Sequence, residues 1–495
     1  MIRLTEEAGR CLLCADAPCT QSCPKGFDPG RAVRAIRFDN SHNAFRWITG
    51  ECSNCSAPCE DACIHPDRPI RIKELSAAVS QRPDPVTQEG QPSTLPSLEI
   101  DFCGVHCENP FFLASSAICT NYDMVARAFD MGWGGVVFKT MTTIDIKEVS
   151  PRFDTIGKQG MPFSGFRNME QLSENTLEEN LAIIRRLKED YPSKIVVASI
   201  MGQTEQEWID LAKACEEAKA DMVELNFSCP QMKLAGTGSD VGQDPELVIF
   251  FTSYVKNAVN IPVIAKMTPN ITHISQPAMA AYFAGADSIA AINTIKSVTM
   301  SEGSMVNGKR TVSGYSGNAV KPIALKHILD IATNPLLKKY GKSPEISGIG
   351  GIETWRDALE YIQLGCSNVQ VCTSVMQYGY RIIDDFLLGM QTYMADHGIQ
   401  SVSELVGSEL HTFVRPSAMD RATVVYPKFN AEKCIGCGRC YISCSDAGHQ
   451  AIRFGSDRRP HLIGKNCVGC HLCRLICQQG AIGISKRVEK KNTDI

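Results

Sequence analysis

Glu224-Leu225-Asn226-Phe227-Ser228-Cys229-Pro230 begins as an apolar strand and ends by presenting a thiol. Beyond Pro230 the chain reads as a loop from Gln231 to Gly242, with Gly236, Gly238 and Gly242 and few apolar anchors. A cysteine where a strand meets a loop can reach a bound ligand and be covered when the loop closes. Most free cysteines are instead small buried packing residues, so an acid–base role for Cys229 has to be supported by the rest of the chain.

The other cysteines supply that context. Of 23, eight lie before residue 64 and eight after residue 433. A secreted disulfide framework is usually short, and at 495 residues this chain is not. Clustered cysteines in a reducing compartment indicate metal. Cys11, Cys14, Cys19 and Cys23 form one quartet, and Cys52, Cys55, Cys59 and Cys63 form a second. Short spacers within each quartet suit two 4Fe-4S clusters, each needing four converging thiolates. Structural zinc is the alternative, with four ligands per ion in close pairs. The order of the cysteines does not fix the pairing, and an interleaved one, with Cys63 joining the first three and Cys23 the second group, is compatible with it. Near the end, Cys434, Cys437, Cys440 and Cys444 recur in spacing as Cys467, Cys470, Cys473 and Cys477. This is the ferredoxin repeat, in which the fourth cysteine of each run ligates the other cluster. Cys477 therefore joins Cys434, Cys437 and Cys440, while Cys444 joins Cys467, Cys470 and Cys473. The proline that commonly follows the fourth cysteine is replaced by Ser445 and Gln478.

Between the cysteine modules, apolar runs alternate with helical patterns such as Glu205 to Ala220. Eight runs read as strands: Phe111–Ser115, Gly134–Thr140, Lys194–Ile200, Met222–Ser228, Pro262–Met267, Ser288–Thr294, Pro344–Gly350 and Asn368–Ser374. Continuous apolar strands separated by helices imply a parallel sheet buried on both faces, and eight of them imply an α/β fold of the closed (β/α)8 TIM-barrel type. The expected organisation is a helical iron–sulfur module over 1–80, a proline-rich linker over 81–97, a barrel over 98–425 and a two-cluster ferredoxin-like domain over 426–495. Chemistry in such a barrel sits where strands end. Gly350 and Gly351 after the seventh strand, with Cys372 and Thr373 after the eighth, match the usual barrel phosphate site. Lys139 and Lys266 close two other strands. An unpaired inward ammonium is costly, so each lysine faces either a barrel carboxylate or a bound anion. Two cations and a phosphate cradle suit FMN, whose reduced ring is anionic. No strand runs into a Gly-x-Gly-x-x-Gly turn, so no NAD or FAD Rossmann site is expected.

The bulk composition adds exclusions. Hydrophobic residues make up 44% and charged residues 21%, with a net charge of −4. No long basic run supports nucleic-acid binding. No apolar stretch approaches the ~18 residues of a membrane span, and the start lacks a signal-peptide profile. A cytoplasmic location is expected.

Several stretches resemble the flavin domain of dihydropyrimidine dehydrogenases: Leu113 to Thr140, Asn226 to Pro230, Gln243 to Leu247 and Lys266-Met267-Thr268-Pro269-Asn270. The barrel is also similar to that of class 1 dihydroorotate dehydrogenases. Cys11-Leu12-Leu13-Cys14-Ala15-Asp16-Ala17-Pro18-Cys19 resembles the iron–sulfur segment preceding the FAD domain in the long form of the enzyme and in glutamate synthase small subunits. Here it joins the flavin barrel directly, with no FAD/NAD(P) domain between. The resemblance implies reduction of uracil or thymine, or the reverse, with Cys229 as general acid/base. It implies pyrimidine contacts from Asn168, Asn226, Ser228, Asn293 and Thr294. FMN contacts are implied from Ala114, Ser115, Lys139, Thr140, Lys266, Gly317, Gly350, Gly351, Cys372 and Thr373. In the long animal enzyme a glutamine is one cluster ligand, whereas Cys52 here offers a fourth thiolate, so all-cysteine ligation is expected. Without a nicotinamide site, an FAD-containing NAD(P)H dehydrogenase subunit, or a ferredoxin, is expected as electron donor, and a homodimer core within a hetero-oligomer as the assembly. Two alternatives compete. One is dihydroorotate oxidation, with Arg167 the cation to meet a carboxylate. The other is a flavin/iron–sulfur subunit that only relays electrons and needs no proton donor at Cys229.

Overall fold

The computed structural model describes residues 4–48, 52, 54–79, 95–155, 165–230, 237–341 and 343–490. Most of the proline-rich linker and the Gln231–Gly236 part of the loop after Cys229 therefore lie outside the described residues. The chain forms two compact units, Met1–Leu410 and His411–Ile495.

All eight predicted strands are present and close a parallel barrel. They are β1 (Phe111–Leu113), β2 (Gly135–Met141), β3 (Ile195–Ile200), β4 (Met222–Asn226), β5 (Val263–Lys266), β6 (Ser288–Ala291), β7 (Glu345–Ile349) and β8 (Asn368–Val371). Each pairs with its sequence neighbour, and β8 closes on β1. Several strands stop two or three residues before the predicted end. At Ser228, Thr294 and Ser374 the polar residues that end each run leave the ladder for the mouth of the barrel. The helices outside bury one stripe, as in Glu205–Glu217, where Trp208, Leu211, Ala212 and Cys215 face the strands. Their starts are fixed by reciprocal caps, Thr176 with Glu179, Thr204 with Glu207 and Thr354 with Asp357.

Two additions close the barrel ends. The hairpin Ile100–Phe102/Val105–Cys107 packs Phe102 and Cys107 against Phe112, Val137, Val197, Met222 and Ile264, filling the lower interior. At the other end, four short strands, Phe153–Thr155, Phe166–Asn168, Ile295–Ser297 and Ser313–Ser316, form an antiparallel sheet. The sequence reading did not contain this sheet, because strands of three or four residues carry too little alternation to register.

The N-terminal module packs on the barrel within the same compact unit. Within it, α1 runs Pro29–Arg37, capped by Asp28, and a single turn follows at Ala44–Arg46. The helix ends because Phe38 turns into the barrel core and Asp39 adopts φ 58°. Beyond β8, α2 (Thr373–Tyr378) leads to α3 (Ile383–His397), against which α1 lies. Arg34 donates to Asp385 at 2.7 Å and to Asp384 at 3.0 Å, Asn43 donates to Thr392 at 2.9 Å, and the Trp355 indole donates to the Asp39 carbonyl at 3.1 Å.

The C-terminal unit carries two helices, Arg439–Ala447 and Leu472–Leu475, each following a cysteine loop. Three two-stranded ladders hold it: Thr423–Val424 with Val488–Glu489, Pro427–Phe429 with Ile482–Ile484, and Ile452–Phe454 with Pro460–Leu462. Among the described residues, no helix is long and apolar enough to cross a membrane.

Candidate active site

A concavity of the first unit opens at the C-terminal ends of the barrel strands. Ala114, Ser115, Lys139, Thr140, Lys266, Gly317, Gly350, Gly351, Cys372 and Thr373 all line it. So do Asn168, Asn226, Asn293, Thr294 and Cys229. Ser228 does not. It is fully buried behind the wall, where its hydroxyl donates to Asn226 Oδ1 at 2.8 Å and accepts from Asn293 Nδ2 at 2.8 Å. Its position braces two carboxamides and leaves no surface for a ligand.

The polar groups form one connected network. Asn226 Nδ2 donates to Thr140 Oγ1 at 3.0 Å, and Thr140 Oγ1 lies 3.1 Å from Ser115 Oγ and 2.9 Å from Ser199 Oγ. Asn293 Oδ1 accepts from the Thr294 backbone N–H at 2.7 Å. Bonds of this kind fix which face of each amide is left for a ligand. Cys229 is 6% exposed, and its carbonyl accepts from the Ser239 N–H at 3.0 Å. Part of the expected loop is ordered as a short helix, Ser239–Gly242. Gly242 is required there, because a Cβ would stand 1.9 Å from the Phe227 carbonyl oxygen.

Both lysines line the cavity and both have barrel carboxylates as partners. Lys266 Nζ lies 3.1 Å from Glu224, and Lys139 Nζ lies 3.1 Å from Glu170. Glu224 is fully buried and also accepts from Ser199 at 3.2 Å and from Gln370 at 3.2 Å. Sequence reasoning did not single out Glu170, Glu224 or Gln370. The signal was available in Glu224, a carboxylate inside an otherwise apolar strand, which demands a cationic partner.

The glycine cradle suits a phosphate-bearing group. Gly317, Gly350 and Gly351 have φ of 120°, 130° and 70°. A Cβ on Gly350 would stand 2.8 Å from Ala324 Cβ, and one on Gly351 would stand 2.8 Å from the Gly317 carbonyl oxygen. Only glycine lets the backbone run this close to the cavity wall. Hydroxyls from Ser316 and Thr373, 3.1 Å apart, complete that end. Phe153, Phe166 and Tyr315 of the antiparallel sheet wall the other side. Strand alternation turns Phe166 and Asn168 to the cavity and Arg167 away from it. Arg167 is 1% exposed and donates to Ser313 Oγ at 2.9 Å and to Met169 Sδ at 2.8 Å.

The sixteen clustered cysteines line four further cavities, four in each. Cys11, Cys14, Cys19 and Cys63 share one and Cys23, Cys52, Cys55 and Cys59 another, which is the interleaved order. In the C-terminal unit, Cys434, Cys437, Cys440 and Cys477 share one and Cys444, Cys467, Cys470 and Cys473 the other. No group of three or more His, Cys, Asp or Glu among the described residues is arranged around a single metal ion. Four thiols spread around a cavity suit a cubane cluster rather than one zinc ion. His471 stands in the wall of the cavity holding Cys444, and both its ring nitrogens are buried without a protein partner. The remaining Cys103, Cys107, Cys119, Cys215 and Cys366 lie outside all these sites, and burial pushes the Cys119 and Cys215 thiols up to about 12.

Residues 97–394 match the family model for dihydroorotate dehydrogenase. Residues 428–484 match a 4Fe-4S dicluster domain, and residues 2–84 match dihydropyrimidine dehydrogenase domain II, 4Fe-4S cluster. The chain is 52% identical over 401 residues to the NAD-dependent dihydropyrimidine dehydrogenase subunit PreA of Escherichia coli K12, covering 80% of this chain and 97% of that protein. It is 37% identical over 333 residues to the chloroplastic dihydropyrimidine dehydrogenase (NADP(+)) of Arabidopsis thaliana, covering 64% and 78%. The catalytic subunit of dihydroorotate dehydrogenase B (NAD(+)) of Pyrococcus abyssi is 36% identical over 324 residues, covering 63% and 99%. The crystal structure of the Eimeria tenella dihydroorotate dehydrogenase in complex with ferulenol superposes with a TM-score of 0.51 at 19% identity, covering 65% and 89%, a likeness of fold alone. The barrel is thus an FMN domain flanked by 4Fe-4S domains at both termini, and the chain belongs to the dihydropyrimidine dehydrogenase family.

Proposed function

We propose that this chain reduces the C5–C6 bond of uracil or thymine, or oxidises the dihydropyrimidine, as the catalytic subunit of a cytoplasmic hetero-oligomer with a homodimeric core. The observation that carries the reading is one cavity lined by Asn168, Asn226, Asn293, Thr294 and Cys229, with no arginine among its described lining residues. Uracil and thymine are neutral and alternate carbonyl acceptors with N–H donors, which carboxamides match from both sides. FMN, when bound, supplies the hydride chemistry at C6. Lys139, Thr140 and Lys266 would face its ring, and Gly350, Gly351 and Thr373 its phosphate. Cys229 holds the proton for C5 at Sγ. A thiol can hold a proton and release it within the catalytic cycle. Phe153, Phe166 and Tyr315 line the same cavity and would limit the access of water to a bound pyrimidine.

Electrons come from an FAD-containing NAD(P)H dehydrogenase subunit or a ferredoxin, in keeping with the PreA relative being named a subunit of an NAD-dependent enzyme. Dihydroorotate is disfavoured as substrate because its carboxylate needs a cation. Arg167 faces away, and both lining lysines have carboxylate partners.

The test is anaerobic purification followed by flavin titration with dihydrouracil, dihydrothymine and dihydroorotate. Bleaching by the first two with about sixteen irons and one FMN per chain is expected. Bleaching by dihydroorotate alone would move the function to orotate chemistry. Cys229→Ala should lower pyrimidine turnover about 10²–10⁴-fold and leave cluster reduction by dithionite unchanged. Unaltered turnover in that variant would remove Cys229 as the acid/base, and absence of pyrimidine turnover in the wild type would leave only the relay reading.

A further inference from the structure

The cavity of Cys11, Cys14, Cys19 and Cys63 is not enclosed by the N-terminal module alone. Arg381, in the turn before α3, and Asp384, in its first turn, also stand in its wall. The Arg381 guanidinium donates to the carbonyls of Leu13 and Cys14, the latter at 3.3 Å, so it is held against the loop that carries the first two thiols. Arg37 of α1 donates to the Cys11 carbonyl at 2.6 Å and lies 4.9 Å over the ring of Tyr378, the last residue of α2. Asp384 accepts from Arg31 and Arg34, each at 3.0 Å. The start of α2 belongs to the flavin cavity through Thr373, Ser374 and Met376. One short helix therefore borders the flavin cavity at its start and leads at its end to the residues that close the cluster cavity. By contrast, the cavity of Cys23, Cys52, Cys55 and Cys59 takes all its described lining residues from the module, between Cys23 and Lys73.

We infer that the Cys11 cluster site is a composite of module and barrel, in which Arg381 and Asp384 are positioning residues that set the cluster's reduction potential with opposite signs. Reduction adds one negative charge to a four-thiolate cluster, and the potential follows the charge and hydrogen bonding around it. A guanidinium in the wall favours the reduced form and a carboxylate the oxidised form, in a partly buried site where screening is weak. Of the two clusters in the module, this one is electrostatically coupled to the barrel, and the Cys23 cluster is the internal reference. The inference rests on a cluster occupying this cavity.

The experiment is a potentiometric titration of the anaerobic full-length protein, followed by electron paramagnetic resonance, with iron counted in each preparation. Arg381→Gln should shift one cluster signal to lower potential and leave the others in place, and Arg381→Lys should return it toward wild type. Asp384→Asn removes a carboxylate and frees Arg31 and Arg34, so the same signal should move to higher potential. Unchanged potentials, a shift of the same sign in both variants, or a shift of all clusters together would overturn the inference. If Arg381→Gln loses about four irons per chain, the sign of the Asp384→Asn shift decides. Wild-type protein without iron in the N-terminal module would overturn the cluster assignment itself, which the iron count separates from a failure of the potentials to move.

Discussion

At the residue scale, Glu224 and Lys266 show how the barrel keeps charge beneath its mouth. Neither is more than 5% exposed, and Glu224 also accepts from Ser199 and Gln370. Removing one partner of a buried pair leaves the other charge uncompensated and costs about 3–5 kcal/mol. Lys266→Ala should therefore lower the unfolding free energy of the barrel by about that amount, and Glu224→Gln, which keeps hydrogen-bonding capacity but strands the Lys266 charge, should also be destabilising. Urea unfolding followed by flavin fluorescence and circular dichroism compares the two. Little or no loss in either variant would mean that the charge of the pair is not what matters.

At the element scale, the turn after β7 and the cap of the module are set by single residues. Gly351 has φ 70° and no room for a Cβ beside the Gly317 carbonyl. Gly351→Ala should yield protein with depleted flavin but unaltered iron, measured by absorbance and iron assay after desalting. In the module, burial raises the Glu7 carboxyl, but the Arg71 N–H and the guanidinium groups of Arg71, Arg68 and Arg10 outweigh it and leave it below the ordinary carboxylate value. The folded value is depressed, so the stability Glu7 contributes is present above the unfolded value of about 4.3 and is lost as pH falls through the folded value. Wild type should lose stability more steeply than Glu7→Gln as pH falls below about 5, read from iron release and unfolding midpoints. Parallel curves would remove Glu7 from the acid response.

At the scale of the whole molecule, the N-terminal module is joined to the barrel by buried charge as well as by apolar packing. Burial raises the Asp385 carboxyl even with Arg34 beside it. Arg34→Ala would leave Asp385 buried without its guanidinium, again about 3–5 kcal/mol. Faster amide exchange in α1 and α3 together is expected, with the C-terminal unit unaffected. Exchange that rises in α1 alone would show that the contact orders the module without coupling it to the barrel.

The sequence alone determined the elements whose signal is local. Eight apolar runs and one-sided helices are read from periodicity. Four cysteine quartets are read from spacing, and the ferredoxin interleaving follows from a known ligation rule. The residues at strand ends, including Cys229, Asn226, Lys139 and Gly350, were legible because a parallel barrel brings all its strand ends to one mouth. Tertiary structure alone decided which charges meet. Glu224 faces Lys266 across adjacent strands, and Glu170 reaches Lys139 from a loop 31 residues away in sequence. It turned Arg167 away from the cavity and Ser228 behind it, because the facing of a side chain depends on register rather than residue type. It also placed Arg381 in the wall of a cluster cavity whose thiols lie more than 300 positions earlier in the chain. No local pattern encodes such a contact, since it forms only when α1 docks on α3.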